Sequence, residues 1–331
     1  MVGDNYSERV SAEIANFDKA LAVGGVTTSI PKSFTYWASK YLSPRLINIF
    51  GSAQIENIFA SEILKCKKKD CEELSVLSLG SGDCVFEKGV HEIINSQVHA
   101  SWTCTDLNPS VSAYASQLVD KGGFADNFKF HTLDLNNEFV TDKYDVILVN
   151  HALHHFVNLE FILDSVRESL NVGGRFVVSD MIGRNGHMRW QESLTIIESL
   201  WKVLPDNYRF NNHAKCFEGR TYNNYDCTTG GDFEGVRAQD ILPLLLERFN
   251  FIKFVGFGNL PDIFVDRAYG PNFDCERDFD KYFIDFLEDL NCYLIDRGVI
   301  KPTMMIATLA NDNIPCQFDR WSPQFSLRVP D

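Results

Sequence analysis

The chain has 331 residues, of which 45% are hydrophobic and 23% charged, and its formal net charge is −14. That length suits one large domain with additions, or two domains. A negative field repels phosphate backbones, so nucleic acid is not an expected partner. No apolar run approaches the roughly 18 residues of a membrane span, so no membrane partner is expected either.

The first residues, MVGDNYSERV, are polar and lack the apolar core of a signal peptide, so the expected location is the cytoplasm. Nine scattered cysteines without a C-x-x-C pair are expected to be reduced thiols.

Residues 1–70 are predicted to form a helical cap. Aromatic and apolar side chains recur at helical spacing from Pro31, and a second helical pattern covers residues 54–66. Gly24-Gly25 predicts a break between helices. Three lysines at 67–69 precede acidic residues and are interpreted as a solvated helix end.

From Leu74 onward, short apolar runs alternate with helical patterns, which indicates a parallel sheet covered on both faces. Strands are predicted over 74–79, 98–105, 128–133, 144–150, 175–180, 251–257 and 303–309. Helices are predicted over 87–95, 110–121, 159–170, 236–249 and 279–296.

Two long excursions interrupt this alternation, and loops of such length are usually functional. The predicted organisation is a cap (1–70), a core (71–182), an insertion on the substrate side (183–235), further core (236–258), a second insertion acting as a lid or a dimer contact (259–301), a last core strand (302–312) and an irregular tail (313–331). A homodimer is left open.

A glycine turn, Gly80-Ser81-Gly82, follows the first predicted strand. Glycines there let the backbone approach a ligand, and the next helix offers free amides, which suits a phosphate or a nucleoside's carboxylate tail. A plain turn is the alternative.

Acidic residues end the next two strands. Asp106 lies 24 residues beyond Gly82 and can accept both ribose hydroxyls of a nucleotide; its alternative role is to cap the helix after Pro109. Asp134 could bind an adenine amino group with Leu135 against the ring, and a turn is again the alternative.

Three histidines follow the fourth strand and Asn150, at the sheet edge where ligands bind in open α/β sheets. Histidine is the natural base near neutral pH. His151 is expected nearest the reacting atoms, His155 is ranked second, and His154 is assigned a packing role. Helical spacing of His151 and His155 would suit a metal, but no acidic ligand lies at the right step, so no metal is predicted.

Together, VLSLGSGD, TDLNP, LDLN, YDVILVNHALHHF and LNVGGRFVVSDMIG resemble the ordered motifs of class I S-adenosylmethionine-dependent methyltransferases. The resemblance implies S-adenosylmethionine as cofactor, S-adenosylhomocysteine as product, and a Rossmann-like α/β fold: a seven-stranded, mostly parallel sheet with helices on both faces, an N-terminal helical cap and two lid insertions. It implies cofactor contacts from Gly80, Ser81, Gly82, Asp106, Leu107, Asp134, Leu135 and Asn150.

The chain departs from this family's pattern at Ser78, where an acidic residue is usual, and at Cys84, where a third glycine is frequent. Another group must then hold the methionine ammonium. A nicotinamide dehydrogenase also has a glycine turn and an acidic second-strand end, but G-S-G-D-C is not its G-x-G-x-x-G pattern.

The expected function is methyl transfer to an oxygen or nitrogen of a small polar metabolite, either a sugar or a natural-product intermediate. Most of the catalysis would be positioning and exclusion of water. Polar side chains of the two insertions are expected near the acceptor: Arg184, Asn185, His187, Arg189, Trp190, Asp262 and residues 266–271. The alternative is a module that binds S-adenosylmethionine without transfer, which Ser78 favours and the histidines disfavour.

Overall fold

A computed structural model describes residues 3–22, 30–67 and 73–328. The seven apolar runs predicted as strands lie in one large sheet. Their aliphatic side chains are buried on both faces of the sheet, which therefore needs helices on both sides. The strands are β1 (Glu73–Leu79), β2 (His99–Asp106), β3 (Phe128–Thr132), β4 (Tyr144–Asn150), β5 (Leu170–Met181), β6 (Phe210–Asn211), β7 (Cys216–Phe217), β8 (Asn250–Phe257), β9 (Met304–Ala310) and β10 (Gln317–Phe318).

The large sheet has the order β10-β8-β9-β5-β4-β1-β2-β3, and β6 and β7 form a separate hairpin. The five neighbouring strands β5, β4, β1, β2 and β3 run parallel to one another, whereas β9 runs antiparallel between β5 and β8. The chain order reverses between β1 and β4, so the carboxyl ends of these two strands flank the crevice where ligands bind in such sheets.

Helices cover both faces of the sheet. They are α1 (Gly3–Ala22), α2 (Lys32–Trp37), α3 (Ser43–Phe50), α4 (Ile55–Leu64), α5 (Val85–Ile94), α6 (Pro109–Lys121), α7 (Leu159–Ser169), α8 (Gln191–Val203), α9 (Ala238–Arg248), α10 (Leu260–Val265), α11 (Asp278–Asp296) and α12 (Pro323–Ser326). Five residues between α2 and α3, Ala38–Leu42, form a π-helical segment.

Two buried clusters correspond to the two faces. One unites α4, α5, the cap helices α2 and α3, and the helices α10 and α11 of the second insertion. The other unites α7 and α9 with the opposite side chains of β1, β4, β5 and β9. Helices α2 and α3 of the cap therefore share one core with the second insertion.

Three predictions about the fold need correction. The large sheet has eight strands rather than seven, because the two-residue strand β10 pairs with β8. The tail is not wholly irregular, since it holds β10 and α12, and the Ser322 side chain caps the start of that helix. β5 begins at Leu170, five residues before the predicted start at 175.

Two predicted features, the break at Gly24-Gly25 and the lysines at 68 and 69, lie outside the described residues. Among the helices of residues 3–22, 30–67 and 73–328, none is long and apolar enough to cross a membrane.

Candidate active site

The glycine turn after β1 has the backbone that its sequence predicts. Gly80 and Gly82 have φ of +64° and +55°, and Cys84 shares this left-handed conformation at +61°. A Cβ on Gly80 would lie 2.7 Å from the Cβ of Ala152, whereas a Cβ on Gly82 would meet nothing within 4 Å. The turn therefore packs against the segment after β4 on one side and presents bare backbone to open space on the other.

Asp106 ties the end of β2 to that turn. Its carboxylate accepts hydrogen bonds from the amides of Gly82 (3.0 Å) and Asn108 (2.8 Å). Burial raises the pKa of Asp106, and the nearby charge of Glu13 raises it further, although the two amides lower it. The N-cap of α6 is Asn108, whose side chain accepts from Ser110. Asp106 thus does not cap that helix, and Leu107, beside it, is half-buried.

Asp134, after β3, lies beneath the cap helix α1. Its Oδ2 accepts from the Tyr6 hydroxyl at 2.6 Å, and its Oδ1 accepts from the amide of Asn136 at 3.0 Å. Leu135, predicted to lie against an adenine ring, is 3% exposed and belongs to the core. Its side chain packs in the same buried cluster as Leu153, and its contact with an adenine ring stays a prediction.

Ser78 is buried on β1, where the family resemblance leads one to expect an acidic residue. Its hydroxyl donates a 2.6 Å hydrogen bond to the carboxylate of Glu87, a buried residue of α5. The sequence analysis did not single out Glu87. Its position in the first turn of α5, opposite the end of β1, is the signal that could have suggested it.

His151 directly follows β4 and Asn150, a half-buried residue. Its φ of +54° is uncommon for a residue with a Cβ, and such conformations concentrate at functional sites. Its amide donates to Ser179 on β5 at 2.8 Å. The side chain is solvent-exposed, yet desolvation by the surrounding chain lowers its pKa. The charge of Asp180 raises the pKa and the charge of Arg267 lowers it. The ring is therefore accessible to solvent while protein atoms surround much of it.

His154 is buried and paired with Asp180, which lies at the end of β5. His154 Nδ1 is 2.6 Å from Asp180 Oδ1, and the two side chains are 4% and 0% exposed. The Asp180 carboxylate also accepts from the amides of Ala152 (3.0 Å) and Leu153 (2.7 Å). Burial alone would lower the pKa of His154, but the carboxylates of Asp180 and Glu234 outweigh it and raise the pKa to about 10.

His155 bridges two carboxylates that are remote in the sequence. Its Nδ1 is 2.8 Å from Glu13 of α1, and its Nε2 is 3.5 Å from Glu234. Glu234 also contacts His187 Nε2 and lies 3.5 Å from His154 Nε2. Burial would raise the pKa of Glu234, but the hydrogen bonds from His154 and His187 outweigh it and lower the pKa.

Asp180, Glu13 and Glu234 are site residues that the sequence analysis missed. Asp180 ends β5 in the way that Asp106 ends β2, so the same strand-end reasoning would have found it. Nothing in the local sequence marks Glu13 or Glu234, because a helix and a loop bring them to the histidines from distant parts of the chain.

Side chains of both insertions meet near this edge. Arg189 Nη1 lies 3.4 Å from Asp262 Oδ2, which joins the first insertion to the second. Asp266 keeps exposed surface, yet burial by its surroundings raises its pKa to about 6. Among the predicted acceptor-side residues, Arg184 and Trp190 instead stack on each other, with the guanidinium 5.4 Å from the ring centre.

Comparison with known proteins gives a family match over part of the chain. Residues 77–176, from β1 into β5, match the family model described as a methyltransferase domain. Over 245 residues the chain is 20% identical to the highly reducing polyketide synthase GPY1 of Gibberella fujikuroi. That alignment covers 71% of this chain and 9% of the synthase, so the chain corresponds to a small part of that relative.

Solved structures of similar shape include an O-methyltransferase from the trans-AT PKS multienzyme of Brevibacillus brevis, in complex with S-adenosyl-L-homocysteine. It has a TM-score of 0.45 and 14% identity, and the match covers 86% of this chain and 84% of that one. Geranyl diphosphate C-methyltransferase from Streptomyces coelicolor A3(2) has a TM-score of 0.44 and 12% identity, with coverage of 78% and 81%. From the motifs and the family match, residues 77–176 belong to a methyltransferase domain of the class I, S-adenosylmethionine-dependent type.

Proposed function

We propose that this chain transfers the methyl group of S-adenosylmethionine to an oxygen or nitrogen atom of a small polar metabolite, with His151 as general base. The observation that carries the proposal is the position of His151. It follows β4 at the crevice between β1 and β4, is exposed, and adjoins Ala152, against which the glycine turn packs.

The residues around the glycine turn fit the donor. Bare backbone at Gly82 leaves room for its amino-acid tail, and Asp106 can accept ribose hydroxyls. We assign the adenine amino group to Asp134, which would exchange one of its present donors, Tyr6, Asn136 or Asn137, for the ligand. Gly80, Ser81, Leu107 and Asn150 complete the contacts that we assign to it. S-adenosylmethionine supplies a sulfonium methyl that is already activated, so the protein's main task is alignment and exclusion of water.

His151 is better suited to the base than its neighbours. A lowered pKa keeps its imidazole neutral near pH 7, and exposure leaves the ring open to an acceptor. His154 is buried against Asp180, and both ring nitrogens of His155 face carboxylates. We therefore keep His155 as the second candidate and assign His154 a positioning role.

The acceptor is proposed to lie under the two insertions. Asp266, Arg267 and Arg189 line this region, and a hydroxyl- or amine-bearing molecule could pair with them. We favour a natural-product intermediate over a sugar, because the chain resembles a region of a polyketide synthase.

The experiment is a transfer assay with deuterated-methyl S-adenosylmethionine and extracts of natural-product-forming cells, read by mass spectrometry. A small molecule gaining a labelled methyl is the expected result. His151→Ala should lower single-turnover transfer at least about tenfold, because a histidine base contributes roughly 10²–10⁴-fold. His213→Ala, an exposed histidine on the β6–β7 loop, is the matched control.

Binding of S-adenosylmethionine without transfer to any small molecule would contradict the proposal. Equal rates for His151→Ala and the parent would instead remove only the assigned base.

A further inference from the structure

A cluster of side chains beside His151 joins His154, to which we assign a positioning role, to His187 and Glu234. One ligand atom from each of His154, His187 and Glu234 lies within 4.8 Å of the other two. We propose that these residues bind one divalent transition-metal ion through His154 Nε2, His187 Nε2 and a Glu234 carboxylate oxygen. This inference goes beyond the proposed function, since metal binding requires neither donor nor acceptor.

The hydrogen bond on the far side of His154 is the first support. Metal-binding histidines usually donate the other ring N–H to a carboxylate, which fixes the tautomer and the ring orientation. His154 Nδ1 is 2.6 Å from Asp180, and this leaves Nε2 directed at Glu234, 3.5 Å away. Amides of Ala152, Leu153 and Met181 hold the Asp180 carboxylate in turn.

The backbone that carries the other two ligands is the second support. The amide of Gly186 donates to the carbonyl of Gly235 at 2.9 Å, so the segments bearing His187 and Glu234 are joined next to their ligands. Gly235 allows this approach, because a Cβ there would lie 3.1 Å from His187 Cε1. The positions of the two ligands relative to each other are therefore fixed by main-chain contact.

The charge balance of the cluster is the third support. Three imidazoles, from His154, His155 and His187, surround the Glu234 carboxylate, and two further carboxylates, of Asp180 and Glu13, pair with His154 and His155 on their other ring nitrogens. A dication bound by neutral imidazoles and the carboxylate satisfies all of these groups at once, with His155 as a neighbour on the second carboxylate oxygen. The side chains of His187 and Glu234 are 24% and 37% exposed, so an ion has a path to the site.

The ligand set indicates the kind of ion. Two imidazoles and one carboxylate suit Zn²⁺, Fe²⁺ or Mn²⁺, whereas Mg²⁺ and Ca²⁺ prefer sites made of oxygen ligands. Three protein ligands leave coordination positions for water or for a polar molecule. The sequence analysis predicted no metal because it found no acidic ligand among the histidines; the fold brings Glu234 to them from the first insertion.

The test is metal binding by the full chain, first freed of metal with a chelator. Calorimetric titration with Zn²⁺ or Mn²⁺, checked by elemental analysis after gel filtration, should give one ion per chain, with Mg²⁺ much weaker. Glu234→Gln and His187→Ala are the diagnostic variants because both residues are partly exposed and should fold. Each should weaken binding at least about tenfold.

His213→Ala should bind like the parent, and thermal unfolding of the metal-free variants checks their folding. Visible absorption of the Co²⁺-loaded chain should show nitrogen and oxygen ligation that His187→Ala changes. Less than one ion bound by the parent, or equal binding by parent and Glu234→Gln, would overturn the site. Metal binding without methyl transfer would leave the site standing and count against the proposed function alone.

Discussion

The Ser78 hydroxyl donates a 2.6 Å hydrogen bond to the carboxylate of Glu87. The class I pattern has an acid at the position of Ser78, and in this chain a carboxylate from α5 contacts the Ser78 hydroxyl instead. Glu87 Oε2 is buried and has no hydrogen-bond partner among the residues that the structure describes. Because a carboxylate is present beside Ser78, the absence of an acid at position 78 is weaker support for a module that binds S-adenosylmethionine without transfer.

Glu87 should make the stability of the chain depend on pH. Burial raises its pKa to about 7 from the usual 4.5, although the hydrogen bond from Ser78 lowers it. The folded state then binds a proton that the unfolded state releases, so this stabilisation is present below pH 4.5 and is lost as the pH rises through 7. The loss should be roughly 3 kcal/mol.

Urea unfolding of the parent and of Glu87→Gln at several pH values measures this contribution, since the isosteric amide does not titrate. The parent should lose stability relative to Glu87→Gln between pH 4.5 and 8. Parallel curves for the two proteins would show that Glu87 does not titrate in this range.

Much of the fold could be predicted because buried strands leave a strong pattern. Apolar runs marked all seven long strands, and the strand-end rule located Gly80, Asp106 and His151 at one edge. The same rule cannot find Glu87 or Glu234, whose contacts depend on where a helix face or a loop returns. It also missed β10, because two residues are too few to show a period.

At Leu135, strand-end reasoning finds the position of the residue but not the direction of its side chain. The position of a residue after β3 was predictable, but the direction of its side chain was not, because the chain turns there. Leu135 lies in the same buried cluster as Leu153. The backbone conformation of the turn after a strand therefore has to be known before the side chains in that turn can be assigned to a ligand.

Gly80→Ala should destabilise the chain by roughly 2–4 kcal/mol, the sum of left-handed backbone strain and a steric clash with Ala152. Gly82→Ala is the matched control because it has the same sign of φ and open space around its Cβ. It should cost only the strain, about 1–2 kcal/mol. Urea unfolding without ligand measures both. Equal losses would mean that contact with Ala152 does not limit the turn.

Leu135→Ala should behave as a core substitution. Removing a buried leucine usually costs about 2–5 kcal/mol through lost burial and a residual cavity. We expect a lower thermal midpoint, with donor affinity little changed at temperatures where the variant stays folded. A stable variant with weakened donor binding would instead place Leu135 at the adenine site.

Asp106→Asn should weaken S-adenosylmethionine binding while preserving the fold. Its carboxylate oxygens each accept one backbone amide, from Gly82 and Asn108, and retain capacity for two ribose hydroxyls. The amide side chain of Asn keeps one acceptor oxygen and places an N–H₂ group against a backbone donor. Hydrogen bonds to a charged acceptor contribute about 1.5–3 kcal/mol, so affinity should fall roughly ten- to a hundredfold.

Calorimetry with S-adenosylmethionine measures the change, and Asp126→Asn, an exposed residue before β3, is the matched control. Asp126→Asn should bind like the parent. Thermal unfolding without ligand separates a binding defect from a folding defect, because Asp106 also supports the glycine turn. If a folded Asp106→Asn binds S-adenosylmethionine as tightly as Asp126→Asn does, the ribose lies elsewhere, and the glycine turn and Asp106 serve only to join β1 to β2.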